Sequence, residues 1–131
     1  MTLVVDASAL VALALDEPER PAIEALVADE QNLLIAPINA TEAGIVLVLR
    51  FARFTFEEYR EWLDGLGVRE ADVDGAAALD AYLRWGRGVH RAGLNLGDCF
   101  AYALAKELDA PLLFKGDDFN WTDVTPALQP T

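Results

Sequence analysis

LVVDASALVALALDEP, residues Leu3 to Pro18, is a short apolar run that stops on an acid and turns at once into a helix. Leu3-Val4-Val5 is too short and too uniformly apolar for a surface strand. Placed before a helix, it reads as a central strand of a parallel sheet, covered on both faces. Asp6 stands where that strand ends. In open α/β sheets ligands collect beyond the carboxyl ends of the strands, so an acid at this point faces a crevice. Function then turns on which other acids can meet Asp6.

Outward from this stretch, the helix begins near Ser8, is apolar on all sides through Leu15, and is broken by DEPERP. Pro21 suits a first helical turn, Ile23, Leu26 and Val27 give the next helix an inward stripe, and Gln31-Asn32 closes it. Leu33-Leu34-Ile35-Ala36 predicts a second buried strand ended by Pro37, and the spacing implies a parallel crossover. INATEAGIVLVLRFARF, Ile38 to Phe54, predicts one helix. Its Ile45, Val46, Leu49 and Phe51 are too many for one narrow face, so it is buried or carries an interface. Thr55 and Glu58 predict a capping box for FEEYREWLDGL. Val68-Arg69 reads as a short edge strand, and Asp72 as the cap of a helix from Val73 to Trp85. GRGVHRAGLN is a loop, Asn95 or Leu96 opens the last main helix, and Leu112-Leu113-Phe114 is a third buried strand followed by the turn KGDDFNWTD.

With 131 residues, just over half of them hydrophobic, the chain predicts one domain spanning 1–131. No apolar run approaches the ~18 residues of a membrane span, and no basic region precedes the apolar N-terminal stretch, so neither membrane insertion nor a signal peptide is expected. A cytoplasmic location follows, and a single cysteine, Cys99, agrees with a reducing compartment. The net charge of −12 runs against nucleic-acid binding, which usually leaves a basic footprint.

Three further acids align with Asp6. Glu42 lies near the start of the helix after the second strand, Asp98 near the start of the last helix, and Asp117 after the third buried strand. Strand ends and helix starts share one edge of a parallel α/β sheet, so the four can converge. Each also has a plain structural role. Glu42 follows Asn39 by three and Asp98 follows Asn95 by three, as first-turn acids that favour a helix dipole do. Asp6 can cap the first helix, and Asp117-Asp118 can form a solvated turn. Capping accounts for any one acid but not for the set, because Ser, Thr or Asn caps as well without gathering like charge. Clustered carboxylates raise one another's pKa and call for a cation. Lacking His and Cys, this donor set suits Mg²⁺ or Mn²⁺ rather than zinc.

Four segments carry a family likeness. VVDASAL at the N-terminus, the PxxxxE pattern of Pro37 to Glu42, LNLGDCFAYALA from Leu94 to Ala105 and LLFKGDDFNWTDV near the C-terminus together resemble the PIN-domain ribonucleases, specifically the VapC toxins of bacterial toxin–antitoxin pairs. The resemblance covers nearly the whole chain. It implies a three-layer α/β/α sandwich with a mainly parallel central sheet, and Mg²⁺-dependent endonucleolytic cleavage of RNA by metal-activated water. It further implies a homodimer and inhibition by a cognate VapB-like antitoxin. The family's catalytic, metal-holding acids carry over to Asp6, Glu42, Asp98 and Asp117, with the adjacent Asp118 as the alternative for the fourth. Ser8 matches a Ser or Thr position near the metal. On this view Asp6 and Asp98 hold the ion directly, Glu42 and Asp117 hold its waters or a second ion, and one metal or two stays open.

Arg84, Arg87 and Arg91 fall with His90 inside eight positions on the way to Asp98, and form a candidate phosphate strip against which solvated helix-end cations weigh equally. Lys115 is a second candidate. His90 needs no general-base role where a metal activates water. Cys99 reads as a small core residue. Of the tryptophans, Trp62 and Trp85 suit packing, whereas Trp121, in the turn beside the acids, stays open as a base-stacking residue. A phosphoaspartyl enzyme needs a helper acid where this chain has Ser8. The main alternative is a catalytically inactive PIN-fold binding partner.

Overall fold

Uniform apolarity puts Leu3 to Val5 in the middle of the sheet. The computed structural model describes residues 1–29 and 32–128. Strands β1 (Thr2–Val5), β2 (Asn32–Ile35), β3 (Val68–Glu70) and β4 (Leu112–Leu113) stand in the order β3-β2-β1-β4, all parallel. Because strand side chains alternate, Leu3 and Val5 serve one core with Leu33 and Ile35, and Val4 serves a second core with Leu112.

Helices cover both faces. α1 (Ala7–Ala14) and α2 (Arg20–Asp29) carry β1 to β2; α3 (Pro37–Gly44), a π-helical segment (Ile45–Arg50) and α4 (Phe56–Leu66) carry β2 to β3. Residues of these elements pack on the Leu3 and Val5 face. α5 (Gly75–Trp85) and α6 (Leu96–Glu107) pack on the other face and carry the chain from β3 across to β4. The result is the expected three-layer α/β/α sandwich.

Local chemistry sets the element ends. Asp6 caps α1 by accepting from the Ser8 N–H, Pro37 occupies the first turn of α3, and Thr55 with Glu58 forms the capping box of α4. Gly67 ends α4 at φ 79°, a left-handed conformation that costs a residue without Cβ nothing.

Three boundaries differ from the sequence reading. Asn32 opens β2 instead of closing α2, while Gln31 lies outside the described residues. The cap of α5 is Asp74, which accepts from the Ala76 N–H, so the helix starts two residues beyond the Asp72 expectation. The single helix expected over Ile38 to Phe54 widens after Gly44 into π geometry and stops at Arg50, with the Phe51 N–H bonded to Val46 O at 3.0 Å. Ala52, at φ 49°, turns the chain back, and the N–H groups of Arg53 and Phe54 both donate to Leu47 O. That left-handed alanine ends the helix where apolar periodicity alone would have continued it.

Candidate active site

From β1 the chain moves to β2 on one side, and through α6 it returns to β4 on the other. The sheet therefore switches direction between β1 and β4, which opens a crevice at their carboxyl ends. Asp6 leaves β1 there, its N–H donating to Leu113 O at 2.9 Å. Its side chain is buried and accepts at Oδ2 from the Ser8 hydroxyl at 2.6 Å and the Ser8 N–H at 3.1 Å. Ser8 Oγ in turn accepts from the Lys115 N–H at 2.9 Å. One serine thus ties the acid after β1 to the turn after β4.

Glu42 comes from the other side of β1. It lies in the second turn of α3, beyond the first-turn position that a dipole role requires. Asn39, fully buried, donates through Nδ2 to Glu42 Oε1 at 3.0 Å and to Gly97 O at 2.9 Å, and so pins α3 to the start of α6. A Cβ at residue 97 would stand 2.3 Å from both Glu42 carboxylate oxygens, which is why glycine precedes the acid of α6. Asp98 is the third residue of α6 and closes a capping box with Asn95, the two backbone-to-side-chain bonds measuring 2.8 and 3.0 Å. Its capping role and its place in the cluster are both realised. Asp117 and Asp118 follow β4, and with Asp6, Ser8, Asp98 and Lys115 they line a cleft of about 200 Å³.

Electrostatics bind these acids into one unit. Burial, with the charges of Asp6, Glu42 and Asp118 added, pushes the Asp98 carboxyl up to about 6 against its bond to Asn95. Burial also raises Glu42, reinforced by the Asp6 charge and opposed by Asn39. Asp6 is raised by burial against its bonds from Ser8. Of the adjacent pair after β4, both face the cleft, and Asp118 is the one whose charge reaches Asp98.

A hard divalent cation fits this donor set. Carboxylate oxygens are the only strong donors in the cleft, and their mutual repulsion is what a dication relieves. Among the described residues no three His, Cys, Asp or Glu side chains stand close enough to enclose an ion by themselves. That spacing suits Mg²⁺, which keeps several waters and takes only one or two carboxylates directly.

A model of the PIN domain matches residues 3–124. The chain belongs to the PIN-domain family. Within it the chain falls in the VapC group. It is 46% identical over 126 residues to the ribonuclease VapC of Mycolicibacterium smegmatis, across 93% of this chain and 97% of that relative. It is 41% identical over 133 residues to ribonuclease VapC30 of Mycobacterium tuberculosis, across 98% and 100%. The fold superposes on the crystal structure of VapC20 from Mycobacterium tuberculosis, described as a sarcin–ricin loop cleaving toxin. The TM-score is 0.76 at 15% identity, over 94% of this chain and 96% of that one. A toxin–antitoxin complex from Klebsiella pneumoniae gives 0.63 at 18% identity, over 89% of each.

In this PIN domain the candidate phosphate contacts divide. Lys115 Nζ lies 3.2 Å from Glu17 and 3.6 Å from Glu19, and Arg84 lies 3.9 Å from Asp123. Arg87 and Arg91 make no ion pair among the described residues. His90 is structural: its Nδ1 accepts from the Ala92 N–H at 3.0 Å and its ring meets Trp85 edge-on at 4.9 Å. Cys99 is buried, and burial pushes its thiol up to about 11, so it holds its proton as a core residue. Two residues of the VapC-type site escaped the sequence reading, Asn39 as the clamp on Glu42 and Gly97 as the space for it. The signal for Asn39 was its i,i+3 spacing from Glu42, which puts both on one helix face.

Proposed function

We propose that this VapC-type PIN domain is a metal-dependent endoribonuclease toxin, and the observation that carries the reading is the coupling of Asp6, Glu42, Asp98 and Asp118 around one cleft. Asp6 and Asp98 are assigned as the direct holders of Mg²⁺, with Mn²⁺ as a substitute. Glu42 and the Asp117-Asp118 turn hold its waters. When bound, the ion supplies acidified water and neutralises charge on the phosphate under attack. The protein's own part is orientation. Ser8 fixes Asp6 and the β4 turn together, Asn39 fixes Glu42, and the positive end of α6 favours the anionic phosphate. The test is cleavage of a mixed RNA pool: fragments should form with Mg²⁺, cease in excess chelator, and return on adding Mg²⁺ back. Undiminished cleavage in chelator, or none with Mg²⁺, overturns the reading.

Phosphate contacts fall to the two unpaired arginines. Replacing Arg87 and Arg91 by Gln should weaken RNA binding and reduce the slope of log K against log salt by about 1. Fluorescence anisotropy over a salt series measures this, and metal affinity should stay as it was.

A cognate VapB-like antitoxin is assigned to the apolar groove between α3, the π-helical segment and α4. Ile45, Val48, Leu49, Phe56 and Leu63 line about 510 Å³ there, with Arg60 and Glu70 among its walls. Leu49 is 77% exposed, a large apolar side chain that a partner helix would cover. Leu49→Glu should weaken antitoxin binding at least about tenfold, the loss expected for a charge at a buried apolar contact. Calorimetry checks it, with RNA cleavage by the free protein unchanged. A homodimer is assigned to the other layer, where Leu79 and Leu83, one turn apart on α5, are both exposed. Among the described residues no helix is long and apolar enough to cross a membrane. We place the protein in the cytoplasm, with its RNA.

A further inference from the structure

We propose that Trp121, capped by Arg91, is a stacking platform for a single unpaired nucleobase next to the scissile phosphate, and so helps select which RNA sequence is cut. The inference rests on the ribonuclease reading above. The 3₁₀ turn Asp118–Trp121 is anchored by Phe119, which is buried and packs on Phe114 with ring centroids 5.0 Å apart. Trp121 takes no part in either core and is 48% exposed. A 3₁₀ turn repeats every three residues, so Asp118 and Trp121 eclipse one another on the same side of it. Asp118 is the acid whose charge reaches Asp98. The indole therefore stands one short turn from the acid cluster.

Arg91 completes the platform. Its guanidinium lies 4.1 Å from the centroid of the Trp121 ring, although the chain carries 22 acids with which it could have paired. The loop that presents it is ordered. Arg87 N–H donates to Leu94 O at 2.9 Å and Leu94 N–H to Trp85 O at 3.1 Å, while His90 locks the turn against Trp85. A guanidinium plane stacked on an indole extends the π surface and keeps its fork of N–H donors for a phosphate. The sequence neighbours of Trp121 are Asp117, Asp118, Asn120, Thr122 and Asp123. One aromatic among polar groups suits a single base, and a protein partner would want a broader apolar patch. Stacking strength rises with ring size, so a purine is the preferred base.

The experiment compares wild type, Trp121→Phe and Trp121→Ala on a randomised single-stranded RNA pool with sequencing of the cut ends. Binding of short RNAs is measured in parallel, in chelator, by anisotropy and intrinsic fluorescence. The wild type should prefer a purine at one position beside the cut. Trp121→Ala should lose that preference, bind about tenfold more weakly and show a raised KM with kcat little changed. Trp121→Phe should retain the preference. RNA should quench wild-type fluorescence, and the quench should vanish in Trp121→Phe. All three proteins should melt alike. If the wild type fails to cut yet RNA quenches Trp121, the ribonuclease reading falls and the platform stands. If Trp121→Ala cuts with unaltered preference and KM, or the quench persists in Trp121→Phe, the platform is overturned. Unchanged RNA binding with weakened antitoxin binding would overturn it equally, by giving Trp121 to a protein interface.

Discussion

Asp6→Asn is expected to lower RNA cleavage by more than about 100-fold, beyond the range for losing a residue that only supports a metal ligand. The substitution separates charge from shape. An amide oxygen still accepts from the Ser8 hydroxyl and N–H, which now bond Asp6 at 2.6 and 3.1 Å, so the cap of α1 and the link to the β4 turn persist. What disappears is the negative charge that a hard dication requires. Cleavage rates at saturating Mg²⁺, with circular dichroism to show an intact fold, measure the effect. A wild-type rate would remove Asp6 from the site.

Asp98→Asn should also abolish cleavage, and in chelator it should make the protein more stable. The two roles of Asp98 pull in opposite directions. As the third residue of α6 it favours the helix by about 0.3–1 kcal/mol, and its capping bond from the Asn95 N–H is one an amide can also accept. As a buried member of an acid cluster it carries a carboxyl raised to about 6. The native state then holds its proton more tightly than the unfolded chain, whose carboxyl ionises near 4. Stability falls as pH rises from about 4 to about 6, and the cost is fully present above that window. Allowing for the lost dipole term and partial solvent exposure, the amide should gain about 1–2 kcal/mol at neutral pH, on the order of 5 °C in Tm. The difference should shrink as pH drops through 6 and close near 4. Added Mg²⁺ should raise the wild-type Tm more than the variant's, since a ligand stabilises only the state that binds it. A variant that melts lower in chelator, with no differential response to metal, would leave Asp98 as a cap alone.

Much of the fold was legible because its signals are local. A three-residue apolar run before a helix can only be a doubly covered strand, and Thr55 with Glu58 announces its capping box. Asp6 and Asp98 were legible as site candidates because strand ends and helix starts share an edge. Their caps were equally visible, and local sequence could not say that one carboxylate does both. Glu42 was found by position but misread as a first-turn acid, since Pro37 starts α3 a full turn earlier than Asn39. Properties set by tertiary contact stayed hidden. The π-helical segment depends on a left-handed Ala52. Gly97 depends on the Glu42 carboxylate arriving from α3, and the arginine strip loses Arg84 to Asp123 across the α5–α6 layer.

Anomalous scattering from crystals grown with Mn²⁺ tests the central claim most directly, because it locates the ion without reference to any substrate. The account predicts a peak in the cleft lined by Asp6, Asp98 and the Asp117-Asp118 turn, present in wild type and lost or much weakened in Asp98→Asn. An empty cleft at a Mn²⁺ concentration that supports RNA cleavage, or a peak seated elsewhere on the protein, would contradict it.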